Sequence, residues 1–242
     1  SAASDVYKRQ KAYNNIELLP DGGVMLYNTW EEHGQGADIG MVGTAHRALA
    51  PLGIAPEKIR LFINDTFRCP DSGPAAASRC QVMVGHAIVD SCNKLLDAMR
   101  REDGSFRSYD EMVEEGLPLL YSGSYGCVTK NEKGEIVPCV HTDANGQGMP
   151  YACYMYGLFM AEVDVDVSTG KTWVSKMTLI DDVGVINNYG VVDGQMYGGL
   201  AQGIGLALQE DFEDPAKYNN LITCGFPYIK DITDDMELIH ME

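Results

Sequence analysis

Two glutamine side chains, each set among glycines, have the clearest potential in this chain to hold a polar ligand. Gln35 lies in the segment HGQGADIG, residues 33–40, and Gln195 lies in DGQMYGGLAQGIGLAL, residues 193–208. A primary amide offers two N–H donors and an accepting oxygen, and glycine lets the backbone approach a ligand closely. The chemistry that this pattern favours is recognition of something bulky and polar.

The first of these segments is predicted to connect a strand to a helix. Residues 23–30 have the composition of a strand, and residues 37–50 place apolar side chains at helical spacing until Pro51 ends the pattern. Unpaired N–H groups in the first turn of a helix favour an anion such as phosphate. Glycine-rich turns of this kind also occur for steric reasons alone. The candidate binding residues here are His33, Gly34, Gln35 and Gly36.

The second segment is predicted to be a helix over residues 193–209, with Asp193 as its N-cap. Four glycines lie inside it, and each destabilises a helix by about 1 kcal/mol relative to alanine. Two explanations stay open. Either another backbone packs against the glycines, or a large rigid ligand does, bound by the amides of Gln195 and Gln202. The four glycines are Gly198, Gly199, Gly203 and Gly205.

A third segment, SGPAAASR at residues 72–79, leads into a predicted helix over residues 75–101, with Pro74 at its first position. Its small side chains leave room for a ligand above the helix. The guanidinium of Arg79 is able to pair with a phosphate, although a solvated arginine is the commoner outcome. The candidates in this segment are Ser72, Gly73, Ala75, Ala76, Ala77, Ser78 and Arg79.

Taken in this order, together with YMYGLFMAEVDVD at residues 154–166 and GFPYIKDI at residues 225–232, the segments resemble the molybdenum hydroxylases. This is the xanthine dehydrogenase and aldehyde oxidoreductase family, and the likeness is to its bacterial flavin-independent aldehyde oxidoreductases in particular, from about Asn15 to Glu242. The resemblance implies that the candidate residues surround a molybdopterin, in bacteria usually the cytosine dinucleotide, whose dithiolene sulfurs hold the molybdenum. Relatives often have Ser-Gly-Gly where this chain has Ala75–Ala77, so a side-chain hydrogen bond from that position is in doubt.

The same resemblance implies a function. Such enzymes hydroxylate aldehydes to carboxylic acids, and the electrons leave through [2Fe-2S] clusters in an iron–sulfur domain or subunit. A homodimer of the parent enzyme is implied as well. Two alternatives stay open: a hydroxylase of purines or other N-heterocycles of the xanthine dehydrogenase type, or a cofactor-binding module with no activity of its own.

Several expected parts of such an enzyme are not found in this sequence. The family's general base is a glutamate in a GxGE-type motif, and we expect it beyond Glu242. The iron–sulfur module and the earlier half of the molybdenum domain are also absent, so the chain is interpreted as a fragment. Residues 1–13 are interpreted as a non-native or disordered leader.

Composition excludes other partners. The chain has 18 Lys and Arg against 35 Asp and Glu, which makes nucleic acid a poor partner. No apolar run is long enough to cross a bilayer. The seven cysteines form no CxxC pair, which favours reduced thiols and a cytoplasmic location, and the five histidines lack the spacing of a metal site.

The predicted fold class is α+β, a partial, two-lobed molybdopterin-binding domain of the aldehyde oxidase and xanthine dehydrogenase type. The first cofactor-binding lobe is assigned to residues 14–140 and the second to residues 141–242. Strands are predicted near 23–30, 58–64, 119–128, 151–167 and 171–181, with helices near 37–50, 75–101, 108–115 and 193–209 and a polar loop over 131–150.

Overall fold

The computed structural model describes residues 11–63, 65–75, 78–139, 143–148 and 154–241. The chain divides into two compact units, Ser1–Tyr154 and Met155–Glu242. Each unit has its own sheet and its own helices, which is the α+β organisation that the sequence predicts. The division falls after the polar loop to which the sequence analysis assigned the lobe boundary.

The first unit contains a four-stranded sheet in the order β3-β2-β1-β4. Strand β1 pairs antiparallel with β2 and β4, and β2 pairs parallel with β3. The strands are β1 (Lys11–Leu18), β2 (Val24–Asn28), β3 (Ile59–Ile63) and β4 (Leu120–Gly126).

Strand β1 was missed in the sequence, and its first three residues were wrongly assigned to the leader. Residues 11–13 pair with residues 124–126 of β4. The alternation of buried and less buried positions along β1 is regular, but one of the buried positions is polar. Asn14 is fully buried because its amide donates to Ser91 Oγ at 2.7 Å and accepts from Asn28 Nδ2 at 3.2 Å. A paired asparagine in the core therefore hid the strand pattern.

The helices of the first unit cover this sheet. Helix α1 (Ala37–Ala48) follows β2, and a π-helical turn, Cys80–Val84, leads into α2 (Gly85–Met99). Helix α2 packs so closely on β4 that a Cβ at Gly123 would lie 2.2 Å from Ala87 O. Short 3-10 turns lie at Ala50–Leu52 and Pro56–Lys58, and helix α3 (Tyr109–Glu114) begins with a capping box formed by Ser108 and Glu111.

Two sequence predictions in this unit are wrong. Pro74 and Ala75 are not helical, so Pro74 is not the first residue of a helix, and the carbonyl oxygens of Ser72 and Pro74 instead accept from the side chain of Arg79. The predicted polar loop contains strand β6 (Ile136–Pro138), which forms a short antiparallel hairpin with β5 (Val128–Lys130), just before the loop. Its turn is closed by Asn131 Oδ1, which accepts from two backbone N–H groups.

The second unit has a three-stranded sheet in the order β7-β8-β9. Strands β7 (Tyr156–Val165) and β8 (Thr172–Asp182) form the predicted antiparallel hairpin, whose turn uses Gly170 at φ +73°. Strand β9 (Met236–His240) pairs parallel with β8 and was not predicted. A 3-10 turn lies at Ile229–Asp231.

Helix α4 (Tyr189–Leu208) is the long helix of the second unit. It begins four residues earlier than predicted, because Asn188 Oδ1 accepts from Val191 N at 3.2 Å and forms the N-cap. Asp193 is therefore not the N-cap and lies inside the helix. Across the described ranges, no helix has the length and apolar composition needed to span a membrane.

Candidate cofactor site

The loop between β2 and α1 has a shape that only glycine adopts easily. Gly34 has φ +100° and Gly36, the N-cap of α1, has φ +84°, so both lie in the left-handed region. Gln35 stabilises this turn with its own side chain. Its Oε1 accepts from His33 N at 2.6 Å, and its Nε2 donates to Glu31 O at 2.8 Å. The imidazole of His33 is exposed and lies 3.2 Å from a carboxylate oxygen of Glu31.

A carboxylate lies against the N-terminus of α1. Glu32 Oε1 accepts from Gly34 N at 2.7 Å and Gly36 N at 3.1 Å, and its Oε2 accepts from Asp38 N at 3.0 Å. These N–H groups, that of Asp38 first, hold the pKa of Glu32 below its usual value. The N–H groups that were predicted to favour a ligand anion are occupied in this structure by the carboxylate of Glu32 itself, and binding of a phosphate here stays a prediction. Glu32 was not identified from the sequence, although an acidic residue shortly before two glycines pointed to an interaction with this turn.

Two polar atoms beside this loop are buried without a hydrogen-bond partner among the described residues. They are Nε1 of Trp30, whose side chain is 4% exposed, and Oδ1 of Asp38. Desolvation, and then the nearby charge of Glu32, raise the pKa of Asp38. Buried polar atoms without partners are rare in folded proteins. Their presence here fits a neighbouring polar group that the chain itself does not provide.

The loop at residues 72–79 is built around one arginine. Arg79 is fully buried, and its guanidinium donates to Ser72 O at 2.6 Å, Pro74 O at 3.3 Å and Lys11 O at 3.2 Å. Gly73 has φ +72°, and a Cβ there would lie 2.4 Å from Arg79 Nη2. The geometry supports a role for Arg79 in shaping the loop, while its contact with a phosphate stays a prediction.

The same loop is joined to the end of β2, so two of the predicted segments meet. Ser72 is fully buried, accepts from Thr29 N at 3.1 Å and donates to Tyr13 O at 3.0 Å. Further along, Gln81 Oε1 lies 3.4 Å from where a Cβ of Gly40 in α1 would be. Ala75 is half-buried and Ser78 is exposed, while Ala76 and Ala77 lie outside the described residues.

Helix α4 has two opposite faces. Asp193, Leu200 and Ile204 share one face, since steps of seven and four residues return to nearly the same side of a helix. Leu200 and Ile204 are buried. The opposite face is formed by four exposed residues, which we call the open face: Gln195, Gly198, Gly199 and Gln202.

The glycines of α4 serve two different purposes. A Cβ at Gly205 would lie 2.7 Å from Pro227 Cγ, so close packing explains that glycine. At Gly198, Gly199 and Gly203, nothing among the described residues lies within 4 Å of a Cβ position. Packing against the described residues therefore does not explain these three, and the surface of the open face is uncovered. Gln35 and Gln195 belong to different units, so their convergence on one ligand stays a prediction.

Comparisons with known proteins give a family match and several relatives. The molybdopterin cofactor-binding domain family matches residues 2–233, a range that includes residues 2–10, to which the sequence analysis assigned no family likeness. The chain is 48% identical over 226 residues to the aldehyde oxidoreductase of Megalodesulfovibrio gigas, covering 93% of this chain and 24% of that protein. It is also 28% identical over 235 residues to a xanthine dehydrogenase of Oryza sativa subsp. japonica, covering 90% of this chain and 16% of that protein.

A solved structure supports the same family assignment. The crystal structure of the aldehyde oxidoreductase from Desulfovibrio desulfuricans superposes with a TM-score of 0.88 at 50% identity, over 96% of this chain and 24% of that one. The chain thus spans about a quarter of the length of these oxidoreductases. Because the family match covers nearly the whole chain, this chain belongs to the molybdopterin cofactor-binding domain family.

Proposed function

We propose that this chain is the cofactor-binding part of a longer molybdenum-dependent aldehyde oxidoreductase, which hydroxylates aldehydes to carboxylic acids. The observation that carries the proposal is the open face of α4, where a Cβ at either glycine would meet no described residue within 4 Å and both glutamine side chains are exposed. The 48% identity to the Megalodesulfovibrio gigas aldehyde oxidoreductase supports the choice of substrate class.

The residues of this chain would hold the cofactor by shape and hydrogen bonds. Gln195 and Gln202 offer paired donors and acceptors to the edge of a pterin, and Gly198 and Gly199 let the ring approach the helix. When bound, the cofactor supplies the oxygen transfer and the two-electron oxidation, with molybdenum held by the pterin dithiolene. The protein contributes position and electrostatics.

In the first unit, the N–H groups that now donate to Glu32 are suited to a phosphate. Glu32 would then have to leave them. The remaining assignments, to be tested with these, are His33, Gly34, Gln35 and Gly36, together with the 72–79 loop.

We further propose that the cofactor is the cytosine dinucleotide form, and that electrons leave through [2Fe-2S] clusters in an iron–sulfur domain or subunit. The general-base glutamate would lie beyond Glu242, and the parent enzyme would be a bacterial homodimer. Among the described residues, Cys69, Cys92 and Cys224 are free thiols, which is compatible with the cytoplasmic location that we propose.

A second candidate function is hydroxylation of purines or other N-heterocycles. The observation that favours it is the 28% identity to a rice xanthine dehydrogenase. A cofactor-binding module without activity of its own is the third possibility. Substrate assays separate the three, because the first oxidises aldehydes, the second oxidises xanthine and the third oxidises neither.

The test uses the longer oxidoreductase that contains this chain, purified as wild type, Gln195→Ala and Gln147→Ala. Gln147 is an exposed glutamine outside α4 and serves as the matched control. We expect the wild type and the control to bind molybdenum and to oxidise benzaldehyde with a dye acceptor, and Gln195→Ala to have a lower molybdenum content. Oxidation of xanthine but not benzaldehyde by the wild type would contradict the aldehyde assignment. Full molybdenum content in Gln195→Ala would contradict the role of the open face.

A further inference from the structure

A histidine held between two aspartates connects α4 to the sheet of its unit. His240 Nδ1 lies 2.7 Å from Asp181 Oδ1, and His240 Nε2 lies 2.7 Å from Asp193 Oδ1. The three residues come from three elements, β9, β8 and α4. Because His240 is 59 and 47 residues from its partners, no sequence motif announces the cluster.

The backbone of the sheet places two of these side chains together. Asp181 and His240 are register partners in the parallel pairing of β8 with β9, and Met241 N donates to Asp181 O at 2.7 Å. Neighbouring residues in register project from the same face of a sheet. The third partner, Asp193, comes from the face of α4 that also carries the buried Leu200 and Ile204. The hydrogen bond to Asp193 is therefore made only when that face of α4 is turned to the sheet.

The cluster needs a charged imidazole. A neutral imidazole has one N–H, whereas the imidazolium has two and can donate to both carboxylates. The hydrogen bond with Asp193, and then that with Asp181, raise the pKa of His240 above its ordinary value. Asp181 is 1% exposed and its Oδ2 has no partner among the described residues, so its side chain depends on the hydrogen bond with His240. The ring of Tyr189 in α4, with its centroid 6.0 Å away, is the titratable neighbour.

We propose that His240 is a positioning residue, which joins Asp193 to Asp181 and thereby fixes the rotation of α4 so that its open face is presented to the cofactor. Gln195 lies two residues after Asp193, about 200° further around the helix, and so on the side away from this attachment. The part that concerns the cofactor rests on the proposed function, whereas the attachment of α4 does not.

The first experiment measures hydrogen exchange of residues 189–208 in the 242-residue chain, with rates corrected for the intrinsic effect of pH. The variants are His240→Gln and Asp193→Asn, and the matched control is His46→Gln, an exposed histidine on α1. Asp193 is 40% exposed, so its variant is expected to fold even if His240→Gln does not. We expect about tenfold faster exchange in both variants near pH 6, and no change in the control.

The pH dependence gives a readout that a passive structural contact would not produce. A histidine whose pKa is raised by folding stabilises the folded state fully at pH values below its ordinary pKa. That stabilisation is lost as the pH rises through the raised pKa. In the wild type, the protection of α4 against hydrogen exchange should therefore fall as the pH rises through the raised pKa of His240. In His240→Gln no such fall should occur. Equal exchange in the wild type and both variants at all pH values would overturn the proposal.

The second experiment measures molybdenum content in the longer oxidoreductase carrying His240→Gln or Gln195→Ala. Lower content in both variants supports the proposal. Lower content in Gln195→Ala alone overturns the positioning role of His240. Full content in both overturns the proposed function instead, and the exchange data then decide the attachment of α4 separately.

Discussion

The glycine-rich segments of the two units differ in whether other described residues of the chain contact them. In Ser1–Tyr154, the N–H groups around Gly34 and Gly36 are satisfied by Glu32, and the 72–79 loop is closed by a buried arginine. In Met155–Glu242, the open face of α4 meets no described part of the chain. The candidate loops of the first unit are thus largely filled by its own side chains, whereas the second unit leaves its candidate binding surface uncovered.

The strands show the same contrast. Alternate residues of β1 in the first unit are buried, while all ten residues of β7 in the second are exposed. Several of those in β7 are large and apolar, such as Tyr156 at 74% and Phe159 at 62%. Contiguous exposed apolar surface marks a site of interaction. The first unit therefore has loops that its own side chains hold in shape, and the second unit exposes apolar surface that is typical of a site of interaction.

The largest effect is expected where the closed loop is opened. Arg79→Met removes the donors that bind the carbonyl oxygens of Ser72 and Lys11 and should lower the free energy of unfolding of the first unit by about 3 kcal/mol. Denaturant unfolding followed by Trp30 fluorescence in a Trp173→Phe background would measure it, because Trp30 is buried in this unit. A change below about 0.5 kcal/mol would show that the loop does not depend on Arg79.

A smaller loss is expected at the packed glycine of α4. Gly205→Ala places a Cβ 2.7 Å from Pro227 Cγ and Glu210 Oε1, so the second unit should lose about 1–3 kcal/mol. Unfolding followed by Trp173 fluorescence in a Trp30→Phe background is the measurement. An unchanged midpoint would mean that the contact with Pro227 relaxes freely.

Substitution of the exposed Gly198 should change the free energy of unfolding in the opposite direction. Gly198→Ala meets nothing within 4 Å and should stabilise the second unit by about 0.5–1 kcal/mol, since alanine is the better helix former. The same fluorescence assay compares the two variants. If Gly198→Ala destabilised the unit as much as Gly205→Ala, the distinction between open and packed glycines would be lost.

The smallest effect concerns Glu32, which is largely exposed. The pKa of Glu32 is lowered in the folded chain, so its carboxylate stabilises the fold at pH values above the pKa of the unfolded state. That stabilisation is lost as the pH falls through the lowered pKa of the folded state. Titration of the amide resonances of Gly34, Gly36 and Asp38 should therefore show a shift at a pH below the usual pKa of a glutamate carboxyl group. Glu32→Gln should abolish that shift, and its persistence would assign it to another acid, with Glu31 the first to check.

Local patterns could be read from the sequence, and contacts between distant residues could not. The hairpin of β7 and β8, helix α1 and the glycines at positions 34 and 36 follow from turn chemistry and periodicity. Strand β1 was hidden because Asn14 is buried through partners 14 and 77 residues away. The late start of helix near Cys80 depends on Arg79 reaching back to Lys11, which no local propensity reports.

The candidate site was predictable to a similar extent. Gln195 and Gln202 could be placed on one helical face from their spacing of seven residues, but which glycines are open and which are packed depends on Pro227. Glu32 was overlooked because the anion was expected to come from a ligand rather than from the chain.

The central claim is that the open face of α4 holds the cofactor, and one pair of variants tests it most directly. Gly198→Leu places a side chain on that face, where a Cβ meets nothing within 4 Å among the described residues, and Gly203→Leu adds the same side chain to another open glycine, about 140° away around the helix. Molybdenum per polypeptide is measured in the longer oxidoreductase for both. We expect at least a severalfold loss in Gly198→Leu and wild-type content in Gly203→Leu, and full occupancy in Gly198→Leu would contradict the claim.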